Sequence, residues 1–120
     1  MLYNYKINKI VKIIDGDTFD AMIDLGFDIL VKKRIRIHGM NCPECRTRNK
    51  AEKKRGLAAK KFLSELLESF DGDIFLNSKG IGKYGRVLGE IKLQRLQEFR
   101  DVAEAMITAG HAEEYLIGKR

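Results

Sequence analysis

From Phe19 onward the side chains alternate in character. Phe19, Ala21, Ile23 and Leu25 fall on one face of an extended segment, and Asp20, Met22 and Asp24 on the other. That period of two belongs to a half-buried strand and not to a helix. Gly26-Phe27-Asp28 reads as a reversal, after which Ile29, Val31, Ile35 and Ile37 line one face of the next strand, with Lys33 the exception. Upstream, residues 7–14 read as a strand partly buried on both faces, and Asp15-Gly16-Asp17 as a corner, since glycine has permissive backbone angles and aspartate favours turns. The first third of the chain is therefore a three-strand meander with one apolar face.

The remainder supplies what such a meander lacks. Residues 45–54 are mostly charged and have no periodicity, which predicts a mobile, exposed loop. A helix is expected over 56–70, where Ala59, Phe62, Leu63, Leu66, Leu67 and Phe70 recur at three- and four-residue steps and form one apolar stripe. Asp71-Gly72-Asp73 ends it. Residues 74–76 form a short strand, 78–86 a glycine-rich loop, 87–93 another strand and 94–100 a polar connection. Asp101 is placed to cap a second helix, with Glu104 three residues on; Val102, Ala105, Met106 and Ala109 form its buried side, and Gly110 stops it. Three strands, a helix and two more strands are the order of a five-stranded OB-like barrel, so the expected class is α+β, mainly β, with two helices. The 120 residues suffice for one domain, 1–120, with a modest core.

Charge narrows the partners. The formal net charge is +6, and the basic residues are grouped: Lys32, Lys33, Arg34 and Arg36 before residue 40, then Arg46, Arg48, Lys50, Lys53, Lys54 and Arg55. Such clusters on both sides of one turn suit a polyanion. No stretch approaches the roughly 20 apolar residues of a membrane span, and no leader follows Met1. The expectation is a cytoplasmic protein with no membrane contact and no obligate protein partner. Cys42 and Cys45 form a C-x-x-C. They are too few for a disulfide scaffold, and a zinc site would need His38 and His111, which are far apart in sequence.

Between the basic clusters lies the segment 34–44. It begins as a strand, breaks at Gly39 and turns at Asn41-Cys42-Pro43, leaving the Arg36 guanidinium and the Glu44 carboxylate near one strand end. A planar cation to hold phosphate oxygens and a base to take a proton from water are the groups that phosphodiester chemistry needs. Two further segments join it: Ile14-Asp15-Gly16-Asp17-Thr18 upstream and Lys83-Tyr84-Gly85-Arg86 downstream. Residues 80–85 also spell G-x-G-x-x-G, but the segment that follows reads as a strand, whereas a dinucleotide site needs a helix there.

In that order the three segments resemble the staphylococcal nuclease (thermonuclease-like) family, with its IDGDT corner, its arginine-to-P-E stretch and its K-Y-G-R loop. The resemblance runs from about residue 7 to 115. It implies an OB-fold barrel and a calcium-dependent phosphodiesterase acting on DNA or RNA with little sequence preference, leaving 3′-phosphates. It also implies a helix after Tyr115 that this chain lacks. Carried over by position, Arg36 and Arg86 are the phosphate-binding arginines, Glu44 is the general base, and Asp17 is the first calcium ligand. Asn41 stands where the family has its second ligand aspartate. Cys42 stands on a threonine whose backbone carbonyl contacts the metal. Lys83 and Tyr84 are candidate nucleic-acid contacts, with Tyr84 stacking on a base or packing internally. Asn41 removes one unit of charge from the metal site, and this keeps a second function open: a non-catalytic nucleic-acid-binding OB module with a weakened metal site. A third reading is a protein-interaction domain.

Overall fold

The computed structural model describes residues 3–115. Its elements, in chain order, are β1 (Tyr3–Asp15), β2 (Thr18–Asp24), β3 (Leu30–Ile37), β4 (Met40–Asn41), α1 (Lys50–Glu68), β5 (Asp73–Ile81), β6 (Val87–Arg95), β7 (Glu98–Asp101), α2 (Val102–Thr108) and β8 (Glu113–Glu114). β1, β2 and β3 form the expected antiparallel meander. β5 joins the free edge of β1, and β6 joins β5. β3 then pairs with β6 in parallel, Ile35 with Val87 and Ile37 with Gly89. That seam closes a five-stranded barrel in the order β1-β2-β3-β6-β5. The expected α+β barrel with two helices is thus the observed one. The expectation about a further helix after Tyr115 lies outside the described residues.

Phe19, Ile35, Ile37, Leu76, Ile91 and Leu93 fill the barrel and are fully buried. α1 closes one side with Ala59, Leu63 and Leu67 buried, and Phe62, Leu66 and Phe70 packed at the margin of the core. Val102, Ala105 and Met106 of α2 are buried as expected. Ala109 is exposed instead, because it is the C-cap and the chain turns away through Gly110 at φ 82°. Leu25 and Ile29, expected on the inner face, are 43% and 53% exposed. They flank the Gly26–Asp28 turn, past the end of the barrel, where no facing strand is left to cover them.

β1 departs furthest from a regular strand. Its register against β2 slips between Ile7 and Lys9, between Ile10 and Lys12, and between Ile13 and Asp15. Each slip is a bulge that leaves one residue unpaired and bends the strand, helping it coil around the barrel. Three other expectations change. The segment 45–54 is a loop only as far as Asn49: α1 begins at Lys50, because the Asn49 side chain accepts the Glu52 N–H at 3.0 Å and caps the helix. The 78–86 loop shrinks to a tight turn at 82–86, since β5 runs to Ile81. The connection 94–100 is a hairpin into β7.

Candidate active site

The β1–β2 corner, the end of β3 and the β5–β6 turn all come to one end of the barrel. They enclose a cavity of about 170 Å³ lined by Asp17, Arg36, Asn41, Cys42, Glu44 and Arg86, with Asp15, Thr18 and Pro43 between them. Six of the eight residues singled out in the sequence therefore meet in one small space. Lys83 and Tyr84 do not line it. They sit on the neighbouring turn, where the exposed Tyr84 ring has the Lys83 ammonium 5.7 Å from its centroid and the Arg86 guanidinium carbon 5.6 Å away.

Close packing builds the corner. A Cβ on Gly16 would lie 2.8 Å from the Ala59 Cβ and 2.9 Å from the Cys42 sulfur, so only glycine lets the corner rest on both α1 and residue 42. Asp17 follows, 8% exposed. Its backbone carbonyl accepts the Ile37 N–H at 2.8 Å. One carboxylate oxygen accepts the Thr18 hydroxyl at 3.0 Å and the other accepts the Cys42 N–H at 3.1 Å. Arg36 Nη2 stands 3.6 Å from that second oxygen. Asp17 thus joins the corner to the turn that carries Asn41 and Cys42.

Arg36 is held just as firmly. Nη1 donates to the carbonyls of Ile37 at 2.7 Å and Met40 at 2.9 Å, and Nη2 donates to the Asn41 amide oxygen at 3.1 Å. The side chain cross-braces the chain reversal at Gly39. On the other side of that reversal, β4 pairs with β8, Met40 with Glu114 and Asn41 with Glu113, and the Tyr115 N–H reaches the Gly39 carbonyl at 3.0 Å. Little in the sequence signals this two-residue clip.

Glu44 is exposed, and its position is set through its backbone. Its N–H donates to Glu52 Oε2 at 3.2 Å. A Cβ on Gly56 would lie 2.3 Å from the Glu44 carbonyl oxygen and 2.6 Å from the Cys45 nitrogen. Gly56, expected to open the helix, instead lies within it as the point where α1 touches residues 44–45. Glu52 and Gly56 are the positioning residues that the sequence reading missed; the Asn49-x-x-Glu52 pattern is the signal that could have found the first.

Neither cysteine is bonded to another group covalently. Burial, reinforced by the Asp17 carboxylate, pushes the Cys42 thiol up to about 12. Burial and the hydrogen bond that the Cys45 thiol donates to Asp15 Oδ1 at 2.6 Å raise Cys45 as well. Both sulfurs stay protonated near neutrality, so neither side chain presents a thiolate.

The donors present suit a hard cation in kind: the Asp17 carboxylate, the Asn41 amide and the Cys42 carbonyl are all oxygens. Each Asp17 oxygen and the Asn41 oxygen accept one hydrogen bond apiece from the protein and retain a lone pair. Their charge is low. No cluster of three or more His, Cys, Asp or Glu side chains that could hold a metal occurs among the described residues.

The family model described as "Staphylococcal nuclease homologue" matches residues 34–120. The matched range contains Arg36, the turn 41–44 and the turn 82–86, while the 14–18 corner lies before it. No curated protein matches the chain.

Proposed function

Because the chain belongs to the staphylococcal nuclease homologue family, we propose that it is a calcium-dependent phosphodiesterase that cuts DNA or RNA with little sequence preference. The observation that carries this reading is that two arginines, Arg36 and Arg86, and the exposed Glu44, from three separate parts of the chain, line a single cavity. Arg36 and Arg86 hold the non-bridging oxygens of a phosphodiester and stabilise the charge that grows on them in the transition state. Glu44 takes a proton from the attacking water as its oxygen bonds to phosphorus. The P–O5′ bond breaks, the departing oxygen takes a proton from solvent, and the phosphate stays on the 3′ side. Asp17, Asn41 and the Cys42 carbonyl would hold the cation, which supplies further positive charge against the same oxygens. Lys83 and Tyr84 meet the flanking nucleotides, the tyrosine by stacking.

One observation favours a second reading, a module that binds nucleic acid without cutting it. The hydrogen bonds of Arg36 to Ile37, Met40 and Asn41 occupy three of its five N–H groups, and Asn41 adds no charge for the cation. Incubation of single- and double-stranded DNA, and of RNA, with calcium, magnesium or chelator separates the two. The expected result is cleavage in calcium, none in chelator, and loss of cleavage with retained binding in Glu44→Gln. Binding without cleavage at high calcium decides for the module.

A further inference from the structure

Residues 6–14 of β1 repeat a triplet: Lys6-Ile7-Asn8, Lys9-Ile10-Val11, Lys12-Ile13-Ile14. In a regular strand, lysines three apart would point alternately inward and outward. Here each bulge absorbs the third residue of its triplet. Ile7, Ile10 and Ile13 pair with the inward-facing Ile23, Ala21 and Phe19 of β2 and pack in or against the core. Lys6, Lys9 and Lys12 pair with Asp24, Met22 and Asp20 and stand on the outer face.

β3 supplies the facing file. Arg36 pairs with Thr18, Arg34 with Asp20 and Lys32 with Met22, all on that same outer face. The file starts in the cavity with Arg36 and leaves it at two-residue steps. Three acids near these lysines already have partners. Asp20 accepts two hydrogen bonds from Arg34, at 2.8 and 3.2 Å. Asp24 accepts the Gly26 N–H at 2.7 Å, and Asp73 pairs with Lys6 at 3.3 Å. Lys9, Lys12 and Lys32 are exposed and form no ion pair among the described residues. They surround the half-buried Met22 and the neutralised Asp20. At about 3.3 Å per residue, β2 carries this face roughly 20 Å away from the cavity.

We propose that the outer face of β1–β2–β3 is a track for the phosphate backbone of a single nucleic-acid strand, with Lys9, Lys12 and Lys32 as its contacts beyond the cavity. The proposal rests on the nuclease-or-binding reading of the cavity and extends it. Charge complementarity and continuity with Arg36 select this occupant. Met22, between the lysines, gives a base or sugar an apolar surface. The track binds by charge and not by base edges, so it adds length dependence without sequence preference.

The test uses the full chain in the Glu44→Gln background, in chelator, with fluorescent oligothymidines of three and twelve nucleotides. Salt titrations are run on the parent, on Lys9→Gln/Lys12→Gln/Lys32→Gln, and on the charge-matched Lys61→Gln/Arg95→Gln/Arg100→Gln. Each phosphate contact on a single strand contributes about 0.7 to the slope of log affinity against log salt, so the track variant should lose about 2 in slope on the dodecamer. It should also lose most of the affinity gained from trimer to dodecamer, while the charge-matched variant keeps both. Equal slopes in parent and track variant, or equal losses in the two triple variants, overturn the track and leave the cavity reading standing. A parent that binds neither length overturns both. Thermal unfolding of each variant at the parent's midpoint shows that the exposed substitutions leave the fold intact.

Discussion

Asn41 gives its amide oxygen to Arg36 Nη2 at 3.1 Å, and its replacement by aspartate changes two things at once. The new carboxylate pairs with the guanidinium, and it adds a second negative charge beside Asp17. Calcium affinity rises with the charge of its ligands, so Asn41→Asp should bind calcium more tightly by calorimetry and reach half-maximal cleavage at lower calcium. Unchanged or weaker calcium binding would mean that residue 41 does not face the cation. The two arginines should part company under substitution. Arg86→Ala removes a charge from the cavity wall and should lower turnover by roughly 10²-fold with little change in Tm. Arg36→Ala also strips the Ile37 and Met40 carbonyls of their donor, so it should lower Tm as well as turnover. Equal Tm losses would contradict that division. Cys42 makes a pH prediction. Its folded value, about 12, lies above that of an unfolded thiol, near 8.5. The folded state therefore disfavours the thiolate, and this contribution is full below the unfolded value and lost as pH rises toward the folded one. Urea midpoints should fall above about pH 9, and less steeply in Cys42→Ala.

Gly56 decides how α1 relates to Glu44. On helix propensity alone, Gly56→Ala in mid-helix would stabilise by about 1 kcal/mol. Here the added methyl meets the Glu44 carbonyl oxygen at 2.3 Å and the Cys45 nitrogen at 2.6 Å, backbone atoms that cannot rotate aside. The overlap wins, and a net loss of about 1–3 kcal/mol is expected, together with reduced cleavage as residue 44 is pushed from its place. Thermal unfolding and a cleavage assay on one preparation check both halves. A more stable, fully active variant would show that the helix does not rest on 44–45. The same element explains why the loop before it is short: Cys45 is 4% exposed and tied to Asp15, and four residues later Asn49 caps the helix.

The barrel is closed by the short parallel seam of β3 on β6, and the cavity depends on it. The seam sets Arg36 beside Leu88, close behind Arg86, and so brings both arginines to the lining of one cavity. Ile35 lies in that seam with no exposure. Ile35→Ala should cost about 2–5 kcal/mol, a large part of the roughly 5–15 kcal/mol that holds such a domain together. Urea denaturation measures it. A loss below 1 kcal/mol would mean that the seam is not part of the cooperative core. The exposed Phe27 at the far hairpin lies outside this network, at φ 56° and 96% exposed, and nothing in the structure explains why an aromatic stands there.

Local pattern carried what depends on each residue's near neighbours. The alternation from Phe19 to Ile37, the stripe from Ala59 to Phe70, the Asp101 cap and the three motif segments are all legible in the order of residues alone, because strand and helix periods are properties of the chain itself. The barrel followed from their order. The tertiary structure decided what depends on distant pairing. The Lys-Ile-x triplets place their lysines together only because β2 imposes a register that β1 meets by bulging. Gly56 is a contact point only because residues 44–45 arrive against it. Asn41 turns its oxygen to Arg36 only because β8 and the Gly39 reversal hold it there. None of these leaves a period in the sequence, since each is settled by which backbone or side chain from elsewhere in the chain occupies the adjacent space.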